Sequence, residues 1–271
     1  MISVKKLYKS YQKKLVLNDI NLHFPEGKLS ALIGPNGAGK STLLMSIGRL
    51  LSQSQGHITL NDQNIHTIQR RDYALKVATL RQTTHLDVSL SVRDLVALGR
   101  FPHNRGKLTK KDNLAIDHAL EFLSLKSLEH DFIDELSGGQ RQMVFLAMTI
   151  AQQTPYLLLD EPLNNLDMKH AASIMQALRR LCDEEQRTII LVVHDINFAA
   201  NYSDHLVAMK NGIIHSSGTV EQVITETNLC DLYDFNIEII QTKKGPICNY
   251  FNLTGDLAND SFSKASCITD F

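Results

Sequence analysis

The segment "LSALIGPNGAGKSTLLMSIGRLL", Leu29 to Leu51, constrains this chain more than any other. An apolar run is followed by a loop with three glycines, and a helical run opens immediately after Lys40-Ser41-Thr42. This is G-x-x-x-x-G-K-[ST] in a strand–loop–helix context, the arrangement in which a loop cradles phosphate. The glycines permit close backbone approach, so that amide N–H groups at the helix start face an anion. The amides of Asn36, Gly37, Ala38 and Gly39 are the candidate cradle. Lys40 supplies a point charge for β- and γ-phosphates, the Ser41 hydroxyl suits Mg²⁺, and Thr42 is placed for the α-phosphate.

Matching carboxylates stand in "YLLLDEP", Tyr156 to Pro162. A buried strand ending in Asp160 and Glu161 sets both acids beside the phosphate loop in a doubly wound sheet. Asp160 is expected to hold the metal, and Glu161, pointing differently, to polarise an attacking water.

Other apolar runs, "TIILVVH" (Thr188 to His194) and "HLVAMK" (His205 to Lys210), read as further buried strands. Helical stretches such as "HAASIMQALRRLCDEE" (His170 to Glu185) separate most of them. Continuous apolar strands alternating with amphipathic helices predict an α/β fold with a mainly parallel sheet covered on both faces. "ISVKKLYKSY" and "HITLNDQNI" turn more quickly and predict a small antiparallel sheet near the N-terminus. From Leu90 to Gln153 the pattern is helical, which predicts a helical subdomain, about 86–153, inserted into the sheet. One of its helices has apolar residues at Leu114, Ala115, Ala119, Leu120 and Leu123, close to a single face. "NIEIIQTKKGPICNYF" reads as two short strands around a Lys-Lys-Gly-Pro turn. One domain over 1–251 is expected, and 252–271, small and polar, reads as a mobile tail.

Charge and cysteine content narrow the partners. Net charge is −1 with no lysine or arginine block, which argues against nucleic acid. Four cysteines are scattered without a C-x-x-C pair, as in a reducing compartment. No apolar run approaches the length of about 18 residues that a membrane span needs. Any work at a membrane therefore goes through a partner.

"LSGGQ", Leu136 to Gln140, poses a question, since paired glycines at a helix start are locally unfavourable. They make sense as a second anion-binding turn.

Taken with the loop and acids above, this segment makes the chain resemble the nucleotide-binding subunit of ATP-binding cassette (ABC) transporters, over roughly 1–251. "LSGGQ" matches the family signature fully. Gln82 in "LRQTT" matches the glutamine loop, "NNLD" (Asn164 to Asp167) the D-loop, and His194 in "VVHD" the switch histidine. The resemblance implies the cassette fold with its N-terminal antiparallel and inserted helical subdomains. It implies ATP hydrolysis with Mg²⁺, with Glu161 and His194 catalytic and Ser41, Gln82 and Asp160 on the metal. Tyr11 resembles the residue that stacks on adenine, with Tyr8 as competitor. Family members pair head to tail, so Ser137, Gly138, Gly139 and Gln140 would contact the ATP held by a second copy, flanked by Asp167 of the D-loop. The second anion site would then belong to the other subunit.

A finer resemblance is to importers of ferric siderophores, with haem and vitamin B12 importers as relatives. It rests on "VRDLVALGRFPHNRGKLT" and "EPLNNLDMKH". It implies integral-membrane permease subunits, an indirect substrate-binding protein and a peripheral place at the cytoplasmic membrane face. Soluble cassette ATPases usually carry two cassettes or a long coiled-coil insertion, and this chain has neither. A small-molecule phosphate-loop kinase would not need "LSGGQ".

Overall fold

The structure is a computed structural model that describes residues 1–12, 14–81, 89–104, 106–164 and 166–251. Gln82, expected in the glutamine loop, and the tail 252–271 lie outside the described residues.

The N-terminal strands β1 (Ile2–Tyr11) and β2 (Lys14–Phe24) form an antiparallel hairpin, and β3 (Leu29–Ile33) runs directly into the glycine loop. Helix α1 (Lys40–Ile47) follows, then β4 (Gln55–Leu60), β5 (Gln63–Asn64), α2 (Arg70–Ala74) and β6 (Val77–Leu80). A helical stretch comprises α3 (Val92–Leu98), α4 (Phe101–Asn104), α5 (Lys110–Phe122) and α6 (Gly138–Ala151). The chain then alternates β7 (Tyr156–Asp160), α7 (Met168–Glu185), β8 (Thr188–Val192), α8 (Ile196–Tyr202), β9 (His205–Lys210) and β10 (Ile213–Gly218). Helices α9 (Val220–Val223) and α10 (Glu226–Tyr233) precede the hairpin β11 (Glu238–Thr242) and β12 (Gly245–Asn249).

The main sheet has the order β10-β9-β3-β8-β7-β6, parallel throughout except for β10 at its edge. Strands β3, β7 and β8 are buried at every position, and the pleat sorts their side chains between two cores. Leu29, Ala31 and Ile33 join the core on the side of α3, α5, α6 and α7, whereas Leu32 joins the core under α1 and the antiparallel sheet. Ile189 and Leu191 divide from Ile190 and Val192 in the same way. Two-sided burial explains why these strands read as unbroken apolar runs. The second sheet, β2-β1-β4-β5, is antiparallel. Edge strand β6, only "VATL", was not among the strands expected, because four residues carry too little pattern to separate from the flanking helical text.

Helix α6 buries Met143, Val144, Phe145, Leu146, Ala147 and Ile150 against the helical layer. On α5 the buried face is Ala115, Ile116, Ala119 and Leu120, while Leu114 is exposed. Of the expected face, Ala115, Ala119, Leu120 and Leu123 are buried, and Ile116 rather than Leu114 completes the i, i+3, i+4 set. Within "GRFPH", Arg100 Nε donates to Asp112 Oδ1 at 2.8 Å and Nη1 to the Ala151 carbonyl at 2.8 Å. His103 Nε2 meets the Gln152 carbonyl at 2.8 Å. This motif therefore caps the C-terminal end of α6, where cations complement orphan carbonyls. The β11–β12 hairpin, turning at Lys243-Lys244 as expected, docks on α8 through paired bonds between Asn197 and the Cys248 backbone.

Candidate active site

Strand register assembles the site. Leu32 is level with Val192, and Val192 with Asp160, across neighbouring strands β3, β8 and β7. The loop after β3, the acids ending β7 and the histidine after β8 therefore emerge together at the C-terminal edge of the sheet, where open α/β sheets bind ligands.

The loop begins at Gly34, with φ 136°, where a Cβ would lie 2.0 Å from the Met209 carbonyl of β9. Only glycine fits this crossing. At the other end Gly39, φ 100°, caps α1 in the left-handed region, which aims the first-turn amides into the loop. The loop is braced from behind: the Gly212 N–H donates to the Ala38 carbonyl at 3.1 Å, and the Gly34 N–H donates to the Tyr233 hydroxyl at 3.2 Å. Asn36 and Gly37 are exposed, Ala38 is buried, and Ser41 and Thr42 are half-buried.

Lys40 is 5% exposed, and its Nζ donates to the carbonyls of Gly34 and Pro35 at 2.7 and 3.0 Å. Burial pushes its pKa down, and the charges of Glu161 and Asp160 oppose that shift. The Ser41 hydroxyl donates to Asp160 Oδ1 at 2.8 Å. Asp160 is 1% exposed, and its Oδ2 is buried without a hydrogen-bond partner. Burial pushes this carboxyl up, the Ser41 hydrogen bond pulls it back, and the Glu161 charge adds to the rise. A buried carboxylate oxygen lacking a partner is costly, and a cation offsets that cost. One carboxylate and one hydroxyl beside a phosphate cradle fit Mg²⁺, which keeps much of its water.

Glu161 adopts φ 51°, a left-handed conformation, and so turns away from Asp160. Its Oε1 lies 2.7 Å from His194 Nε2, and its Oε2 accepts from Asn164 Nδ2. A cavity of about 220 Å³ adjoins these three residues, with Leu163, Val193 and Phe198 in its wall. At roughly 30 Å³ per water it has room for several. The arrangement presents a carboxylate, an amide and an imidazole to one cavity.

The phosphate loop, the acids and the histidine form one site with Gly212, Tyr233 and Asn164 as supports. Tyr11 sits exposed at the end of β1 with Lys9 Nζ 5.0 Å from its ring centroid, and Tyr8 lies on the same strand opposite Gln55.

The signature lies apart from this cradle. Ser137 caps α6 through a reciprocal box: its hydroxyl accepts from the Gln140 N–H at 3.3 Å, and Gln140 Oε1 accepts from the Ser137 N–H at 3.0 Å. Gly138 is exposed, with open space where a Cβ would be. At Gly139 a Cβ would meet the His170 ring at 3.0 Å, and His170 Nδ1 is held 2.9 Å from Asp167 Oδ1. Gln142 Nε2 donates to the Pro162 carbonyl at 3.2 Å, so signature helix and D-loop are neighbours within one chain.

The ABC transporter family model matches residues 17–164. This chain belongs to that family. It is an ATP-hydrolysing cassette, and its fold is that of solved ABC ATPases. Petrobactin import ATP-binding protein FatE of Bacillus anthracis is 46% identical over 250 residues, covering 92% of this chain and 100% of that protein. Ferric enterobactin transport ATP-binding protein FepC of Escherichia coli is 34% identical over 232 residues, covering 85% and 86%. The dimeric ABC transporter cassette MJ0796 superposes with TM-score 0.73 at 28% identity, covering 81% of this chain and 99% of that one. The same cassette is known as a dimer in a post-hydrolysis state with ADP and Pi, at TM-score 0.73 and 27% identity, with coverage of 81% and 99%.

The sequence reading did not assign Asn164, Tyr233, Gln142 or His170. Asn164 stood inside the quoted D-loop, so a polar side chain three residues after a candidate base was its available signal. Tyr233 carried none.

Among the described residues, no helix is long and apolar enough to cross a membrane.

Proposed function

We propose that this cassette energises import of a ferric siderophore. The observation that carries the reading is full-length similarity to the petrobactin import ATP-binding protein, 46% identical across 100% of its length.

In this reading Lys40 and the loop amides hold the β- and γ-phosphates, and Tyr11 or Tyr8 stacks on adenine. Asp160 and Ser41, together with Gln82, would hold Mg²⁺, which when bound would supply neutralisation of phosphate charge. Glu161 takes the proton of the attacking water, and His194 turns to the γ-phosphate. Two copies close head to tail, and Ser137, Gly138 and Gly139 of each meet the other's ATP. Closure draws on permease subunits docked around the helical layer, with a substrate-binding protein delivering the siderophore on the far side of the membrane. The cassette sits peripherally on the cytoplasmic face.

The test is growth of a strain lacking this gene on ferric petrobactin, a ferric hydroxamate and ferric enterobactin as sole iron sources. Loss of growth on at least one, with sugar and amino-acid uptake unchanged, is expected. Normal use of all three alongside loss of another solute's uptake would overturn the reading.

A further inference from the structure

Asn164 touches the proposed base directly yet has no role in the scheme so far. Its Nδ2 donates to Glu161 Oε2, and its backbone N–H closes a turn onto the Glu161 carbonyl at 3.2 Å. The other carboxylate oxygen, Oε1, lies 2.7 Å from His194 Nε2. The Glu161 side chain is only 9% exposed, so these donors face it where water competes little. The two donors differ in kind. The amide of Asn164 is anchored three residues along the same turn and is neutral at every working pH. The imidazole comes from the end of another strand and is 39% exposed, which leaves it room to swing.

The geometry points to Asn164 as a positioning residue that holds Glu161 Oε2, so that Oε1 is the oxygen presented to the attacking water. This rests on reading Glu161 as the base. The terminal torsion of a glutamate is broad and roughly two-fold, so the backbone alone does not fix the carboxylate plane. A donor on one oxygen does. When His194 turns to the γ-phosphate, Oε1 exchanges imidazole for water while Oε2 stays on the amide. Oε1 then takes the water proton as the water oxygen bonds to the γ-phosphorus. The bond from that phosphorus to the bridging oxygen breaks, and its electron pair leaves with ADP.

The experiment measures kcat and KM for ATP on the full chain, for Asn164→Ala, Asn164→Ser and Glu161→Gln. Asn164→Ala is expected to lower kcat about ten- to a hundred-fold, the cost of a misplaced reacting group, with KM nearly unchanged. Asn164→Ser, which restores a donor, should recover part of the loss. Wild-type kcat in Asn164→Ala while Glu161→Gln is inactive would overturn the positioning role. A wild-type rate in Glu161→Gln would instead overturn the base assignment itself.

Discussion

The Ser41 hydroxyl donates to Asp160 Oδ1 at 2.8 Å, joining two residues 119 positions apart and leaving Asp160 Oδ2 buried without a hydrogen-bond partner. The pair is the natural seat of a divalent cation. Ser41→Ala removes one ligand and the bond that orients the other. Half-maximal Mg²⁺ for hydrolysis should rise about ten-fold or more, with little change in thermal midpoint. A Mg²⁺ titration of ATPase activity checks this, and an unchanged half-maximal Mg²⁺ would remove Ser41 from the metal site.

Lys40 donates to two loop carbonyls and is almost fully buried. Lys40→Ala should abolish measurable ATP binding and hydrolysis. The fold should survive, because the loop stays braced by Gly212 and Tyr233. Calorimetric ATP titration with circular dichroism checks both halves. Wild-type affinity would mean that Lys40 does not meet the phosphates.

Glu161→Gln keeps the shape of the base and loses its charge. ATP binding should persist while hydrolysis falls by roughly two to four decades, the scale for a lost general base. Two chains should then stay clasped, visible as an ATP-dependent dimer on gel filtration. Adding Ser137→Arg puts bulk at the exposed start of α6 and should abolish that dimer while monomer binding remains. A double variant that still dimerises with ATP would exclude the signature from the partner's phosphate site.

Arg100 and Asp112 are 4% and 2% exposed and are bonded at 2.8 Å. Burial pushes the Asp112 carboxyl up, but hydrogen bonds from the Thr109 hydroxyl and amide and from Arg100 outweigh it and hold the pKa well below the usual carboxylate range. A carboxylate depressed by folding adds stability that is whole above its unfolded pKa and is lost as pH falls toward the folded value. Asp112→Ala should cost about 3–5 kcal/mol near neutrality, the usual penalty for stranding a buried charge. Asp112→Asn should flatten the loss of stability below about pH 4. Denaturant unfolding across pH checks both.

The sequence by itself determined the parts whose geometry is local. Gly34, Gly39 and Lys40 carry their meaning within one strand–loop–helix, because positive φ and a helix start are properties of neighbouring residues. "YLLLDE" is legible for the same reason, since two-sided burial forces an unbroken apolar run that ends at its acids. Ser137 was legible as a helix start, and the reciprocal bonds with Gln140 are the local form of that signal. Leu114 was misread in place of Ile116 because both are apolar in the text, and only packing decides which side chain faces the core. What only the tertiary structure decided depends on strand order. The neighbours β3, β8 and β7 bring Gly34, His194 and Asp160 to one edge, although the chain visits them far apart. The same order sets Tyr233 behind the loop and brings His194 to one oxygen of Glu161. Such contacts follow from register between distant segments, and register is fixed by packing two cores at once rather than by any short stretch of residues.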